Sequence, residues 1–373
     1  MSDLTLVLLA AGSSSRFVSR VKKQWLRVDH APLWLFVAKR FAKLLNISNV
    51  IITASKDEIA FMQNYSDFRI IEGGATRQRS LQNALKHVTT PYVLVSDIAR
   101  ACISEHFLKS IISKKGEADV IVPFLKVSDT VVYENNTIDR DKVMRIQTPQ
   151  LSKISIIRQA LDTDVEYTDE SSAIAAIGGS RLFVEGEEDA HKITFASDLA
   201  KIPCLLPPSA DTLSGNGFDV HAFEEGKTMV LGGVKIDAPY GFKAHSDGDV
   251  AIHALIDALL GAAGMGDIGM LFPDNDDTYK GIDSKFLLQN VVNRLHAFGF
   301  EIINVDITIA AQKPRLGDYK LQMRTTLASI LGIDRARVNV KATTTEKLGF
   351  IGRSEGVGVI ANANLKYFDW TKI

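Results

Sequence analysis

Cysteine is scarce in this chain of 373 residues. Only Cys102 and Cys204 occur, which excludes a disulfide framework, and their isolation rules out a cysteine metal cluster. A reducing cytoplasm fits such usage best. Charge of one sign is also missing. Lys+Arg 43 against Asp+Glu 44 leaves a net charge of -1, so nothing advertises a nucleic-acid or membrane surface. Any phosphate must therefore be recognised locally. No apolar run is long enough to span a bilayer. The nearest, residues 4–11, has Asp3 where a signal peptide would carry Lys or Arg, and it reads as a buried parallel strand. Internal repeats and low-complexity tracts are absent, which excludes a solenoid.

What remains is an ordinary globular composition, 46% hydrophobic and 23% charged, in a length that suits two or three domains. Short apolar runs at 4–10, 50–54, 68–71, 92–96 and 120–123 alternate with amphipathic segments such as 33–45 and 79–87. That alternation predicts a doubly wound, mostly parallel α/β sheet with ligands at the carboxyl ends of its strands. A proline-rich stretch, 203–211, has no usable period and reads as a linker. Two domains, 1–210 and 211–373, are expected. The second reads as an α+β domain: strand 217–221, hairpin 229–236, helices 250–262 and 284–298, strand 302–310, helix 318–331, and strands 338–342 and 356–365.

Two clusters carry chemistry. Asp219 and His221 are two apart on a strand and share a face. His253 follows on a helix that the run Ser246-Asp247-Gly248-Asp249 is suited to start. One carboxylate and two imidazoles suit a catalytic zinc with an open fourth position. Asp257, four residues beyond His253, either orients that histidine or is a plain helix charge. In the first half, Ala10-Ala11-Gly12-Ser13-Ser14-Ser15-Arg16 follows a buried strand directly. Small residues let the backbone approach a phosphate, and Arg16 and Lys23 add positive charge for a polyphosphate.

The loop, with Val93-Leu94-Val95-Ser96-Asp97-Ile98-Ala99-Arg100, Gly73-Gly74 with Arg77 and Ser80, Ser128-Asp129-Thr130, Thr148-Pro149-Gln150 and Thr168-Asp169-Glu170, resembles one family across residues 4–200. That family is the 2-C-methyl-D-erythritol 4-phosphate cytidylyltransferases of the non-mevalonate isoprenoid pathway. The resemblance implies that Arg16, Lys23 and Lys192 stabilise the triphosphate and that Asp97 helps place Mg²⁺. It implies that Ala10, Ala11, Gly12, Gly74 and Ser80 bind the nucleotide. Arg100 and Thr130 would serve the methylerythritol phosphate, Thr130 on an arm reaching a partner subunit. Ala75 stands where the family often has an aspartate, Ala101 replaces a proline, and Lys153 or Ile154 occupies the region of a second substrate-binding arginine.

The second half resembles the 2-C-methyl-D-erythritol 2,4-cyclodiphosphate synthases. The match runs through Gly217–His221, the segment 244–253, Gly266-Asp267-Ile268-Gly269, Leu271-Phe272-Pro273-Asp274 and Lys341 through Phe350. The resemblance implies zinc or another divalent cation on Asp219, His221 and His253, and Mg²⁺ on Glu346. His245 and Ser246 would hold the methylerythritol phosphate, and Asp267 and Gly269 the ribose. Asp274, Ala311, Arg315, Leu316, Thr343, Thr344 and Phe350 would line the substrate, with Thr344 taking part in catalysis. Arg353 would sit near the channel of a trimer.

Together these imply a cytoplasmic fusion enzyme with CTP, methylerythritol phosphate and CDP-methylerythritol 2-phosphate as substrates. A separate kinase must act between its two steps, since no kinase motif set is present. Dimer and trimer contacts in one chain imply a hexamer. Two alternatives for the first half are cytidylyl transfer to another alcohol phosphate, such as ribitol phosphate, and a non-catalytic assembly module.

Overall fold

The computed structural model describes residues 3–17, 19–244, 246–273 and 281–372. They form two compact units, one up to Pro208 together with the residues from Asp369 onward, the other Ser209–Phe368.

In the first unit β1 (Leu4–Leu9) is buried along its whole length, as a continuous apolar run covered on both faces should be. Its neighbours β2 (Val50–Ala54) and β4 (Tyr92–Asp97) lie parallel to it, and β3 (Arg69–Glu72) extends the sheet beyond β2. On the other side β7 (Gln150–Lys153) runs antiparallel to β4 and to β5 (Val120–Lys126). β5 also carries antiparallel β6 (Met144–Ile146) and parallel β8 (Arg181–Glu185). The order is β6-β5-β7-β4-β1-β2-β3, so the chain reverses direction across the sheet at β1. Helices α1 (Leu33–Leu45), α2 (Lys56–Gln63), α3 (Arg77–Leu85), α4 (Glu105–Ser113), α5 (Ile154–Ala160) and α6 (Glu170–Ala176) connect these strands.

The parallel-rich sheet agrees with the sequence reading, and the differences have local causes. α3 starts two residues early because the Thr76 hydroxyl caps it, accepting the Arg79 N–H at 3.1 Å. Strands and helices between 144 and 185 escape notice because each spans only three to seven residues. That is too short for a hydrophobic period to emerge. The view of the cysteines as isolated is corrected. Cys102 and Cys204, 102 residues apart in sequence, form a disulfide, because the segment after Ile202 folds back beside the loop that follows β4.

The second unit is a five-stranded sheet with helices on one face. Its strands are β9 (Leu213–Glu225), β10 (Tyr240–Phe242), β11 (Phe300–Ala310), β12 (Val338–Thr343) and β13 (Gly356–Tyr367), in the order β10-β9-β13-β11-β12. Only β11 and β12 are parallel. Helix α7 (Val250–Ala263) lies against β9 and β13 and packs with α8 (Ser284–Ala297), which in turn meets α9 (Lys320–Leu331). Glycine permits the closest of these contacts. A Cβ on Gly217 would stand 2.0 Å from the Ala254 carbonyl oxygen, and one on Gly215 would stand 2.1 Å from that of Ala258. Residues on the opposite face of β9 and β13 remain open: Phe218 is 60% exposed and Ile360 46%.

The C-terminal residues belong to the first unit. Trp370 is 8% exposed, and its indole N–H donates to the Arg27 carbonyl at 2.6 Å. Truncating a buried Trp removes transfer free energy and leaves a cavity. Trp370→Ala should therefore destabilise the first unit by about 3–5 kcal/mol in denaturant titration. A fragment ending at Pro208 should unfold at lower denaturant than the same unit in the intact chain. Equal midpoints would show that the tail adds nothing.

Candidate active sites

The first site forms at the carboxyl edge of the parallel strands, where the chain reverses. Leu9 at the end of β1 pairs in register with Asp97 at the end of β4, so the glycine loop and Asp97 share one edge. The loop turns sharply, with Ser14 in the left-handed region at φ 58. Two single-turn helices, Ser15–Phe17 and Lys23–Trp25, present Arg16 and Lys23. With Gly74, Ser80, Asp97 and Lys192 they line a cleft of about 380 Å³ that Ala10, Ala11 and Gly12 floor. The Gly73-Gly74 turn lies close under the loop, and the Ser80 hydroxyl accepts the Gly74 N–H at 2.9 Å.

Charge in this cleft is arranged rather than balanced. Lys192 Nζ donates to Asp97 Oδ2 at 2.6 Å, and Arg77 Nε donates to Asp97 Oδ1 at 3.2 Å. Arg77 also reaches the buried Glu170 at 2.6 Å. Burial alone would raise the Asp97 pKa, but Arg77 and Lys192 hold it well below the usual carboxylate range. Burial pushes the other way at Lys23. Desolvation, then repulsion by Lys192 and Arg16, lowers its ammonium to about 8, although Asp97 and Asp198 oppose the shift. Lys23 Nζ meanwhile donates to the Ile193 carbonyl at 2.7 Å. Arg16, Lys23 and Lys192 thus face one carboxylate that Arg77 already neutralises, an arrangement suited to a polyphosphate.

Arg100 and Thr130 do not line this cleft. The Arg100 side chain is buried, donating to Thr148 Oγ1 at 2.9 Å and to the Ala190 carbonyl at 2.5 Å, and it does not line the cleft. Thr130 is exposed beside the hairpin Val131–Tyr133/Asn136–Ile138, also away from the cleft of its own chain.

The second site is a convergence of lone pairs. Asp219 Oδ2 lies 3.2 Å from His221 Nε2 and 3.3 Å from His253 Nδ1. It makes no hydrogen bond of good geometry, although it is buried. The three ligand atoms lie within 4.8 Å of one another. His221 Nδ1 is 3.1 Å from the Gly248 carbonyl, so a neutral ring carries its proton there and turns an unprotonated Nε2 toward the carboxylate. Two electron-rich atoms facing a carboxylate oxygen need a cation or a proton between them. Burial alone would lower the His221 pKa, but Asp219 raises it. The residues therefore fit a divalent cation of the zinc type.

His253 is oriented by Ser246 and Ser284, and of these only Ser284 carries no sequence signal. Its Nε2 is 3.0 Å from Ser284 Oγ and 3.2 Å from Ser246 Oγ, and Ser284 Oγ donates to Asp247 Oδ1 at 2.5 Å. Asp257 takes no part in this. Its Oδ1 accepts the Ile268 N–H at 2.8 Å, tying α7 to the one-turn helix Ile268–Leu271. Asp249 starts α7 as expected, accepting the Ala251 and Ile252 amides at 3.1 Å each.

A separate cleft of about 270 Å³ brings together Ala311, Arg315, Leu316, Thr343 and Thr344, to which the fold adds Gln312 and Lys320. Thr344 donates to Glu346 at 2.8 Å, and Glu346 has a left-handed backbone at φ 50. Asp267 caps the helix containing Gly269 through the Met270 N–H at 2.8 Å. Phe350 lies on the one-turn helix Gly349–Gly352, and the exposed Arg353 pairs with Glu355 at 2.6 Å. His245 and Asp274 lie outside the described residues.

Known proteins share this arrangement from end to end. The family model of 2-C-methyl-D-erythritol 4-phosphate cytidylyltransferase matches residues 4–206, and that of the YgbB family matches residues 213–366. A Sulfurimonas denitrificans protein called bifunctional enzyme IspD/IspF is 66% identical over 373 residues, covering 100% of this chain and 97% of the relative. This chain belongs to the bifunctional IspD/IspF family. Its Aliarcobacter butzleri relative of the same name is 53% identical, with 100% of each chain covered. The structure of the bifunctional IspDF from Campylobacter jejuni superposes with a TM-score of 0.92 at 47% identity, covering 99% of this chain and 100% of that one.

Two outcomes are expected. Lys23 is an ammonium below pH about 8 and loses its charge above it. A bound polyphosphate would restore that charge, so tripolyphosphate affinity measured by calorimetry should fall about tenfold per unit of restored pKa as pH rises through 8. Lys23→Arg should flatten that dependence. In the second unit, Gly217→Ala should force α7 off β9 and separate His253 from Asp219. Zinc retained after dialysis should then drop well below that of the parent protein, and full retention would refute the close-approach argument.

Proposed function

We propose that the two units catalyse two non-consecutive steps of isoprenoid precursor synthesis. Residues 1–210 are assigned to transfer of CMP from CTP to 2-C-methyl-D-erythritol 4-phosphate, releasing diphosphate. Residues 211–373 are assigned to conversion of CDP-methylerythritol 2-phosphate into the 2,4-cyclodiphosphate and CMP. The observation that carries the reading is the presence, in one chain, of a cation-lined glycine loop and a separate Asp-His-His cluster. The matched ranges 4–206 and 213–366 support the division of labour.

In the first reaction the acceptor's phosphate oxygen attacks the α-phosphorus and diphosphate leaves. The acceptor is already an anion, so no general base is required. Arg16, Lys23 and Lys192 neutralise the charge that builds on the phosphates. Lys192 leaves Asp97 for the triphosphate as CTP binds, which frees a carboxylate oxygen for Mg²⁺. Ala10, Ala11, Gly12, Gly74 and Ser80 hold the nucleotide. Arg100 and Thr130 are assigned to the methylerythritol phosphate, Thr130 on an arm reaching a partner chain. The resting charge of this cleft favours catalysis over a purely structural module.

In the second reaction an oxygen of the substrate's 2-phosphate attacks the β-phosphorus and CMP leaves. A divalent cation on Asp219, His221 and His253 would supply Lewis acidity to the diphosphate, and Mg²⁺ at Glu346 would add to it. Ser246 and His245 are assigned to the methylerythritol phosphate, and Asp267 and Gly269 to the ribose. Ala311, Arg315, Leu316, Thr343, Thr344, Phe350 and Asp274 are assigned to the cytidine and its phosphates. The exposed apolar face bearing Phe218 and Ile360 suits a three-fold interface, with Arg353 near its axis, and the hairpin arm suits a two-fold one. Both together close as a hexamer. Reliance on CTP and a phosphorylated sugar alcohol favours a cytoplasmic location.

The test is separation by mutation. Lys23→Ala should cut diphosphate release from CTP by about 100- to 1,000-fold while leaving cyclisation intact. His221→Ala should abolish cyclisation and bound zinc, measured by elemental analysis, while Glu346→Gln keeps the zinc. Loss of both activities in one folded variant would defeat the two-site assignment.

A further inference from the structure

We propose that Glu58 is a positioning residue for the triphosphate loop, acting through Gln24. This rests on the reading of the first cleft as the CTP site. Glu58 lies on α2, outside the motifs that mark the cleft, and its side chain is fully buried. A buried carboxylate is costly unless its oxygens are satisfied. Here Gln24 Nε2 donates to both, at 3.1 and 3.2 Å, the Trp25 indole N–H donates at 3.0 Å, and Lys22 Nζ stands 3.0 Å away.

Glu58 removes the ambiguity of the Gln24 amide. Facing a carboxylate, that amide can only present its NH₂, so its Oε1 must point the other way. The same NH₂ donates to the Gly12 carbonyl at 3.3 Å, and Oε1 accepts the Ser14 hydroxyl proton at 3.1 Å. Ser14 Oγ in turn accepts the Lys23 backbone N–H at 3.0 Å. One buried carboxylate thereby fixes the glycine of the loop, its left-handed serine and the backbone of Lys23. These groups line the cleft, and Glu58 does not.

Glu58→Gln breaks this logic without changing shape. Its own NH₂ would face the donors of Trp25, Lys22 or Gln24, and the Gln24 amide becomes free to turn over. Turned over, its oxygen meets the Gly12 carbonyl and its NH₂ meets a Ser14 hydroxyl that needs an acceptor. The effect belongs to CTP and not to the acceptor substrate.

Steady-state kinetics of the full-length protein decide the matter. Lys23→Ala, assayed beside the parent protein, tests the cleft reading by itself. If diphosphate release from CTP survives that change, the cleft reading fails and this inference fails with it. Given loss of release there, Glu58→Gln should raise KM for CTP about tenfold or more, because small misplacements of binding groups are costly. KM for the acceptor should stay unchanged. KM does not depend on the fraction of folded enzyme, so poor folding would lower kcat alone. Gln24→Ala should give the same signature, and adding Glu58→Gln to it should add nothing, as expected for residues acting in series. An unchanged KM for CTP, or a full additional factor in the double variant, would overturn the proposal.

Discussion

The carboxylate of Asp219 faces a ring nitrogen of His221 at 3.2 Å and one of His253 at 3.3 Å, a placement that needs a cation or a proton between them. Everything nearby serves to hold that placement. Gly248 holds the proton of His221 on the far nitrogen, Ser284 and Asp247 hold the far side of His253, and Gly217 lets α7 lie close enough to bring the two elements together. Electrostatic preorganisation of this kind must be built from groups the ligand does not touch.

The first unit meets the same constraint with the sign reversed. Arg16, Lys23, Arg77 and Lys192 converge on the cleft, and desolvation with mutual repulsion brings Lys23 down to about 8. Asp97 relieves part of the repulsion through Lys192, while Arg77, which is also paired with the buried Glu170, helps keep Asp97 ionised. A triphosphate entering the cleft would satisfy the cations more fully than Asp97 does. Like charges gathered in a poorly solvated space are thus held in readiness by a second layer of buried polar groups.

That second layer is where sequence reading fell short. Glu58 and Ser284 are ordinary polar residues, and no spacing sets them apart from solvated ones, while Arg77, Glu170 and Asp247 stand in motifs that carry no sign of their hydrogen-bond partners. Asp257 shows the hazard directly. Four residues from His253 on one helix, it reads equally as that histidine's partner or as a plain helix charge, and its carboxylate takes the Ile268 amide. Cys102 and Cys204 look isolated and are joined.

The sequence alone determined the order of strands and helices over long periodic stretches, the doubly wound first half, the break near residue 208, and residues that come together in the glycine-loop cleft and at Asp219, His221 and His253. Those signals are local: a buried strand shows as an apolar run, and a ligand pair shows as an i, i+2 spacing. Tertiary structure decided what depends on distance between remote segments. It joined the tail at Trp370 to Arg27, tied the buried Arg100 to Thr148 and Ala190, and chose which oxygen faces which proton around Gln24 and His253. Hydrogen-bond partnership is a property of three-dimensional proximity and orientation, and no one-dimensional pattern encodes it.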